Sequence, residues 1–400
     1  MTTTATAAPL DGITVLEVGA FMAAPYATMQ LADLGARVLK IENPEGGDAV
    51  RATGPFVDGE SSAFLRLNRN KESVALDLKT ADGKAVFLRL AAAADVLVEN
   101  LRPGAMARLG LGYDDLRAHN PRLVYASASG WGQDGSLAHL PGLDIMAQAR
   151  GGLMSVTGHP GGEPAKAGVP VCDLVCGLYV ALAVTAALRE REVSGAGQHI
   201  DVSLLESGVS LAVWEAGMYF GDGTVPRRHG SAHQSLAPYQ AVRSKNGHVT
   251  VGGNTPKTWT ALCRALGLDA LLEDPRYADG WTRMSHRTEL VAAIEEATTA
   301  LTTERIVELL DAAGVPCAPI ADYAEVFTSE HLNDRGYFWD APHPAGGESP
   351  VRQLGSPMRF SRTPAVRRGA GPLLGDATAA VLAEFGRAPE PAPGDGGPGA

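Results

Sequence analysis

At 400 residues and 41.6 kDa the chain is longer than one typical domain, and at roughly 150 residues per domain it predicts two or three. A formal net charge of −11 argues against nucleic acid or an anionic membrane surface as the main partner. With 45% apolar and 20% charged residues the chain is not disordered throughout, and four cysteines over this length cannot form a disulfide framework. The opening MTTTATAAPLDG has neither the basic nor the long apolar region of a signal peptide. The longest apolar stretch, near Leu178 to Leu188, reads as too short and too alanine-rich to span a bilayer. A cytoplasmic protein with buried, reduced cysteines is expected.

In chain order, ITVLEV is a strand, YATMQLADLG a helix stopped by Gly35, and RVLKIE a second strand. This βαβ unit predicts a parallel sheet, and the alternation continues. SVALDL, DVLVEN and LVYASASG read as strands, ADGKAVFLRLAAAA and LGYDDLRAHN as helices. RPGAMARLG reads as a short helix with Pro103 just inside its start. The architecture is α/β and doubly wound. From Gly130 to Val171, Gly, Pro, His and Ser interrupt every run, and so long a loop region points to binding or catalysis. A long apolar helix then runs from about Asp173 to Glu192, and GQHIDVSLLES leads from a strand into another helix. From about Gly221 to Tyr323 a second unit is expected. It holds the hairpin YQAVRSKNGHVTVGG, with Asn246-Gly247 as a type I′ turn signal, then helices and the short return strand GVPCAPI. The expected division is a large domain from 1–220, a small domain at 221–330, a return to the large domain at 331–387, and a disordered Pro/Gly-rich tail at 388–400.

Glu42 ends the second strand, where a dinucleotide site would place its ribose carboxylate. The preceding turn GAFMAAPYA, however, has one glycine where three are wanted, so an acid closing a strand end is preferred. No Walker sequence, HExxH helix or G-x-S-x-G elbow occurs. His229 and His233 are the closest histidine pair, read either as metal ligands or as surface groups. Asp173 stands out as a charge between strongly apolar flanks in GVPVCDLVCGLYVALAVTAAL. One reading is a helix N-cap. The other is a nucleophile, because Asp173 closes the loop region, heads a helix whose positive end favours the carboxylate, and has no more familiar competitor.

The chain resembles the family III CoA-transferases, which include formyl-CoA:oxalate and carnitine CoA-transferases and the 2-methylacyl-CoA racemases. The likeness runs from about Leu10 to Leu382, through PLDGITVLEV, LGARVLKIENPEGGD, NRNKESVALDLKTADGK, DVLVENLRPGAMARLGLGY, NPRLVYASASGWGQDG, GLDIMAQARGGLMSVTG, the Asp173 block and GVPCAPI. The resemblance implies a Rossmann-like large domain built from both chain ends, an inserted smaller α+β domain, and an intertwined homodimer. It implies that Asp173 attacks an acyl-CoA thioester to give a mixed anhydride and then an enzyme–CoA thioester, from which an acceptor acid takes the CoA. Coenzyme A is then a substrate, with no metal or permanent cofactor. CoA contacts are implied at Phe21, Met22, Leu76, Asn100, Leu101 and Arg108, and Gly151 and Gly152 are candidate N–H donors to the tetrahedral oxyanions. Formyl-CoA transferases carry arginine where this chain has Asn43, so a phosphate or adenine contact is either lost here or supplied elsewhere, with Arg51 as the candidate.

The racemases use a histidine in a G-H-D block, since α-proton exchange needs an acid and a base. Here the block is Gly142-Leu143-Asp144, and leucine transfers no proton, so a transferase is expected. A racemase using His159 and a non-catalytic acyl-CoA-binding relative are the alternatives. The oxalate enzyme's glycine-rich loop is not recognisable in GDGTVPRRHGSAHQS, which puts oxalate in doubt as acceptor. Arg227, Arg228 and His233 are read either as acceptor-carboxylate contacts or as solvated surface.

Overall fold

The computed structural model describes residues 7–347 and 349–385. The tail expected to be disordered, 388–400, lies outside the described residues. The chain divides into two compact units. Among the described residues one comprises 7–153, Ala167–Val213, 333–347 and 349–385, the other Met154–Lys166 and Trp214–Leu332.

The first unit runs β1 (Thr14–Val18), α1 (Ala23–Asp33), β2 (Arg37–Glu42), the small hairpin β3 (Phe56–Val57) and β4 (Glu60–Ser61), α2 (Ser62–Leu67), β5 (Lys71–Ala75), α3 (Ala81–Ala93) and β6 (Val96–Glu99). It continues with α4 (Ala105–Arg108), α5 (Tyr113–Arg117), β7 (Val124–Ser129), α6 (Asp144–Arg150), then, after α7 (Leu153–Val156), which belongs to the second unit beyond its first residue, α8 (Val171–Ser194), β8 (His199–Ser203) and α9 (Leu204–Val209). Six strands form one sheet in the order β5-β2-β1-β6-β7-β8, every pair parallel. Successive strand residues face opposite sides of the sheet. Val15, Val38, Val96 and Val124 therefore pack with α1 and α8, whereas Leu16, Leu39, Leu97 and Tyr125 pack with α3 and α5. This is a mixed α/β fold with a large parallel sheet flanked by helices.

Four local expectations are corrected. The strand expected at SVALDL lies at Lys71–Ala75, because the chain leaves the sheet at Leu76 to turn into the Thr80 N-cap of α3. Pro103 lies outside α4, which starts after Gly104 at φ +75°. The supposed loop region holds α6 and α7. The run DIMAQAR is a short helix with an acid in its first turn and Gly151 at its end. The apolar stretch expected to be too short for a bilayer is a 24-residue helix, long and apolar enough to cross one by length and composition. Nearly half of its most apolar window is buried inside the molecule, largely against α1 and the sheet.

Close contact between α1 and α8 depends on Gly177. A β-carbon there would stand 2.9 Å from the Ala23 carbonyl oxygen and 3.0 Å from the Tyr26 ring. Both neighbours sit on a well-packed helix, so Gly177→Val should force the helices apart and cost about 2–3 kcal/mol. A fall in Tm of several degrees in calorimetry checks this.

The second unit takes in α10 (Val213–Asp222), β9 (Tyr239–Arg243), β10 (His248–Gly252), α11 (Pro256–Ala265), α12 (Gly280–Ser285), α13 (Arg287–Thr298), α14 (Thr303–Ala312), β11 (Cys317–Pro319), α15 (Tyr323–Phe327) and α16 (Glu330–Asp334). Its antiparallel sheet β11-β10-β9 packs Val242, Val249 and Val251 against Trp259, Leu262, Ile294, Ile306 and Leu310 from the helices. The hairpin is where the sequence places it, but its turn is not type I′. That turn needs positive φ at both central residues, and neither Asn246 nor Gly247 has it. The Asn246 side chain instead accepts from the Thr303 amide at 2.8 Å and so starts α14.

The last elements among the described residues are β12 (Phe338–Ala341), β13 (Val351–Leu354) and α17 (Thr378–Phe385). This segment lies along α2 and β5. Val366 N–H donates to Asp33, Gly371 N–H to Leu65, and Ala377 N–H to Ser73. The Thr378 hydroxyl accepts from Ala75 N–H at 2.9 Å, so the edge strand β5 is covered rather than open.

Candidate active site

The sheet grows in opposite directions from β1, through β2 and β5 on one side and through β6, β7 and β8 on the other. Such a switch point leaves a crevice beyond the strand C-termini. A crevice of about 290 Å³ opens there, lined by Gly19 and Ala20 after β1, Glu42 and Asn43 at the end of β2, Leu76 after β5 and Leu101 after β6. A larger cavity of about 580 Å³ lies at the other end of the strands, near Thr14 and Arg37. Its arginines are already held, Arg37 by Glu72 and Glu384 and Arg368 by the Gly35 and Ala36 carbonyls. The crevice at the switch point is therefore the better site.

The residues expected to contact CoA divide on this geometry. Leu76 and Leu101 line the crevice. Phe21 follows the lining residue Ala20 with φ +60° and its ring 58% exposed. Asn100 uses its carboxamide on the turn itself, accepting from Ala20 N–H at 3.0 Å and donating to Ala20 O at 2.8 Å. Met22 is the N-cap residue of α1. Arg108 is exposed, has no ion pair among the described residues and does not line the crevice. Arg51 cannot replace the arginine missing at Asn43. Its guanidinium binds Glu42 through two hydrogen bonds of 2.8 and 2.7 Å and lies 3.7 Å over the Phe64 ring. The same pair explains Glu42, which also accepts from the Ser73 hydroxyl, as a structural carboxylate.

Asp173 lies in the first turn of α8, four residues before Gly177 and on the same helix face. Gly177 rests on Ala23, the first residue of α1, so Asp173 lies about one helical turn before the contact between α8 and α1. Asp173 does not cap its own helix. Asp144, from the start of α6, does so from outside: its Oδ1 accepts from Cys172 N–H at 2.8 Å and from Asp173 N–H at 3.3 Å. Its Oδ2 accepts from Gln148 Nε2 at 2.6 Å, and Gln148 Oε1 accepts from Ala167 N–H. The Asp173 carboxylate has no hydrogen-bond partner among the described residues. Burial, and then the neighbouring Asp144 charge, push its carboxyl up to about 7. The expectation that the helix end would keep it ionised is thus corrected: Asp144 already occupies the free amides of that end.

Gly151 is also corrected as an oxyanion donor, since its N–H donates to Ala147 O at 2.8 Å and closes α6. Gly152 follows in the left-handed region at φ +85°. Leu143 is the N-cap residue of α6, with its side chain 64% exposed. Burial pushes the Cys172 thiol up to about 11 and the Cys176 thiol up to about 12, so neither supplies a thiolate.

Sequence reasoning missed two groups. Asp144 was noted only as the partner of Leu143. Glu99 was read as part of a strand, yet it is buried, accepts from Leu101 N–H at 2.8 Å, and is pushed up to about 7 by burial. In the second unit Arg287 separates the two histidines expected as a pair, donating to His233 O at 3.1 Å and lying 3.4 Å from His229 Nδ1. No group of three metal-ligating side chains occurs among the described residues.

Comparison with known proteins then defines the class. The model of CoA-transferase family III matches residues 10–378. The succinate–glutarate CoA-transferase of Agrobacterium fabrum is 39% identical over 94% of this chain and 96% of its own. The acetyl-CoA:oxalate CoA-transferase of Acetobacter aceti is 37% identical over 96% and 97%. A crystal structure of a CAIB/BAIF family protein from Brucella suis superposes with a TM-score of 0.85 at 36% identity, covering 94% of this chain and 99% of that one. The chain belongs to CoA-transferase family III and is an enzyme that transfers CoA.

Proposed function

We propose that this enzyme moves CoA from an acyl-CoA to a dicarboxylic acid through covalent intermediates on Asp173. The observation that carries this reading is the half-buried Asp173 carboxylate at the head of α8, which has no hydrogen-bond partner among the described residues and is pushed up to about 7. A carboxylate with few waters around it is a competent nucleophile toward a thioester. Its attack on the donor carbonyl expels CoA thiolate and leaves a mixed anhydride. The thiolate then attacks the Asp173 carbonyl, releasing the donor acid and leaving an enzyme–CoA thioester. The acceptor carboxylate attacks that thioester, giving a second mixed anhydride and free thiolate. The thiolate finally attacks the acceptor carbonyl, and Asp173 is regenerated. No net proton is consumed, and neither ATP, a metal nor a permanent cofactor is needed.

The crevice takes the CoA moiety, with Leu76 and Leu101 as apolar walls and Phe21 at its edge. The acceptor class follows from the similar enzymes, whose names give glutarate, succinate and oxalate, all dicarboxylic acids. Likeness to the oxalate enzyme keeps oxalate among the acceptors to be tried. Leu143, exposed and without a titratable group, supports transfer over racemisation. The working form is a homodimer. Leu178 and Leu182, four residues apart on α8, are 48% and 64% exposed, and Val209 on α9 is exposed too, an apolar surface suited to a second copy. The four unpaired cysteines support a reducing, cytoplasmic setting.

Incubating the protein with acetyl-CoA, succinyl-CoA and related donors and weighing it intact is the test. The expected result is a covalent adduct mapped to the peptide that contains Asp173 and discharged by glutarate or succinate. Turnover with an adduct on any other residue would end this reading.

A further inference from the structure

We infer that the buried charges Glu17, Lys40, Asp48 and Lys71 form a positioning device that holds the crevice turn in a strained, ligand-ready shape, with Asp48 as its contact residue. This rests on the crevice being the acyl-CoA site. Glu17 and Lys40 are wholly buried and stand opposite each other in the β1–β2 register. Lys40 Nζ lies 2.6 Å from Glu17 Oε1 and 2.9 Å from Asp48 Oδ2, and Lys71 Nζ lies 2.8 Å from Glu17 Oε2. Burial alone would raise the Glu17 carboxyl, but Lys40 and Lys71 hold it down at about 2. An apolar core of the same volume would serve stability as well or better, so a cluster of four buried charges calls for another reason.

The reason is visible in what the cluster touches. Lys40 Nζ donates to Gly19 O at 3.0 Å, Lys71 Nζ to Pro25 O at 2.8 Å, and Phe21 N–H donates to Asp48 Oδ1 at 3.2 Å. Asn100 holds Ala20 between them. The turn from Gly19 to Pro25 is thus gripped at four of its residues. Within it Phe21 adopts φ +60°, a region disfavoured for a bulky side chain. Such strain persists only where the surroundings over-determine it, and it concentrates where a ligand is handled. Glycine would adopt this backbone freely, so the fold alone does not call for a phenylalanine. The exposed ring is kept for contact with the acyl-CoA, and the cluster supplies the grip.

Two variants test this, read by calorimetric binding of CoA to the full-length protein and by steady-state transfer. Asp48→Ala is expected to weaken CoA binding and raise the acyl-CoA KM at least tenfold, with the acceptor KM within twofold. Asp48→Asn keeps an acceptor for Phe21 N–H and should recover most of the loss. Phe21→Gly is expected to leave Tm equal or higher while weakening CoA binding at least fivefold, a pair of opposed effects that a purely structural turn would not give. Unchanged CoA affinity in folded Phe21→Gly overturns the inference, whether or not Asp48→Ala folds. So does Asp48→Ala that loses Tm but keeps its CoA affinity. Wild-type protein that binds CoA without transferring it would instead count against the proposed reaction and leave this inference to the binding data.

Discussion

Asp173→Asn is expected to lose transfer activity by roughly three orders of magnitude or more while becoming more stable than wild type at pH 8. Its carboxyl is raised from 3.8 to about 7, so the folded protein binds this proton more tightly than the unfolded chain does. The stabilising contribution of the protonated group is complete below about pH 4 and is lost as the pH rises through 7. At pH 8 the folded state therefore carries an unfavourable, half-buried charge beside Asp144. Asparagine removes it at nearly constant shape, for a gain on the order of 1–2 kcal/mol once solvent around a half-buried group is allowed for. On the proposed mechanism the same ionisation governs the wild-type rate, because there only the carboxylate attacks. Transfer should rise about tenfold per pH unit below 7 and level off above it. A denaturation series at pH 5 and pH 8, with pH–rate curves for wild type, checks both. A variant that is inactive but no more stable at pH 8 than at pH 5, relative to wild type, would show that Asp173 is not a strained charge.

Asp144 should give the second largest effect, with stability and rate moving separately. Asp144→Ala leaves the Cys172 and Asp173 amides without their acceptor and should cost about 1–2 kcal/mol. Asp144→Asn keeps an acceptor oxygen but removes the charge that helps raise Asp173. Its pH–rate limb should move toward acid by roughly one unit, with a smaller loss of stability. Thermal melts and pH–rate curves of the two variants distinguish these roles. An unmoved limb in Asp144→Asn would assign the whole shift at Asp173 to burial.

The strand and helix alternation was legible because Val15 and Leu16, or Val96 and Leu97, face opposite sides of one strand, and a strand buried on both faces reads as a continuous apolar run. Asp173 was legible for a related reason: a lone charge at the head of an apolar helix is rare enough to single out. Sequence spacing could not show the helix hidden at DIMAQAR, whose seven residues lie between loops dense in Gly and Pro. Nor could it show that Asn246 serves the distant helix α14 rather than a type I′ turn.

By itself the amino-acid sequence determined the parallel α/β plan, the family, through its ordered motifs, and the choice of Asp173 as candidate, because periodicity, motifs and isolated charges are properties of neighbours along the chain. Only the tertiary structure decided who partners whom. Asp144 reaches across 28 positions to cap α8, Gly151 gives its amide to its own helix, and Arg51 is taken by Glu42. Glu17, Lys40 and Lys71 become one cluster because β1, β2 and β5 lie side by side. Each of these is a competition among distant groups for a limited number of donors and acceptors, and its outcome depends on distance in space, which the linear order of residues does not carry.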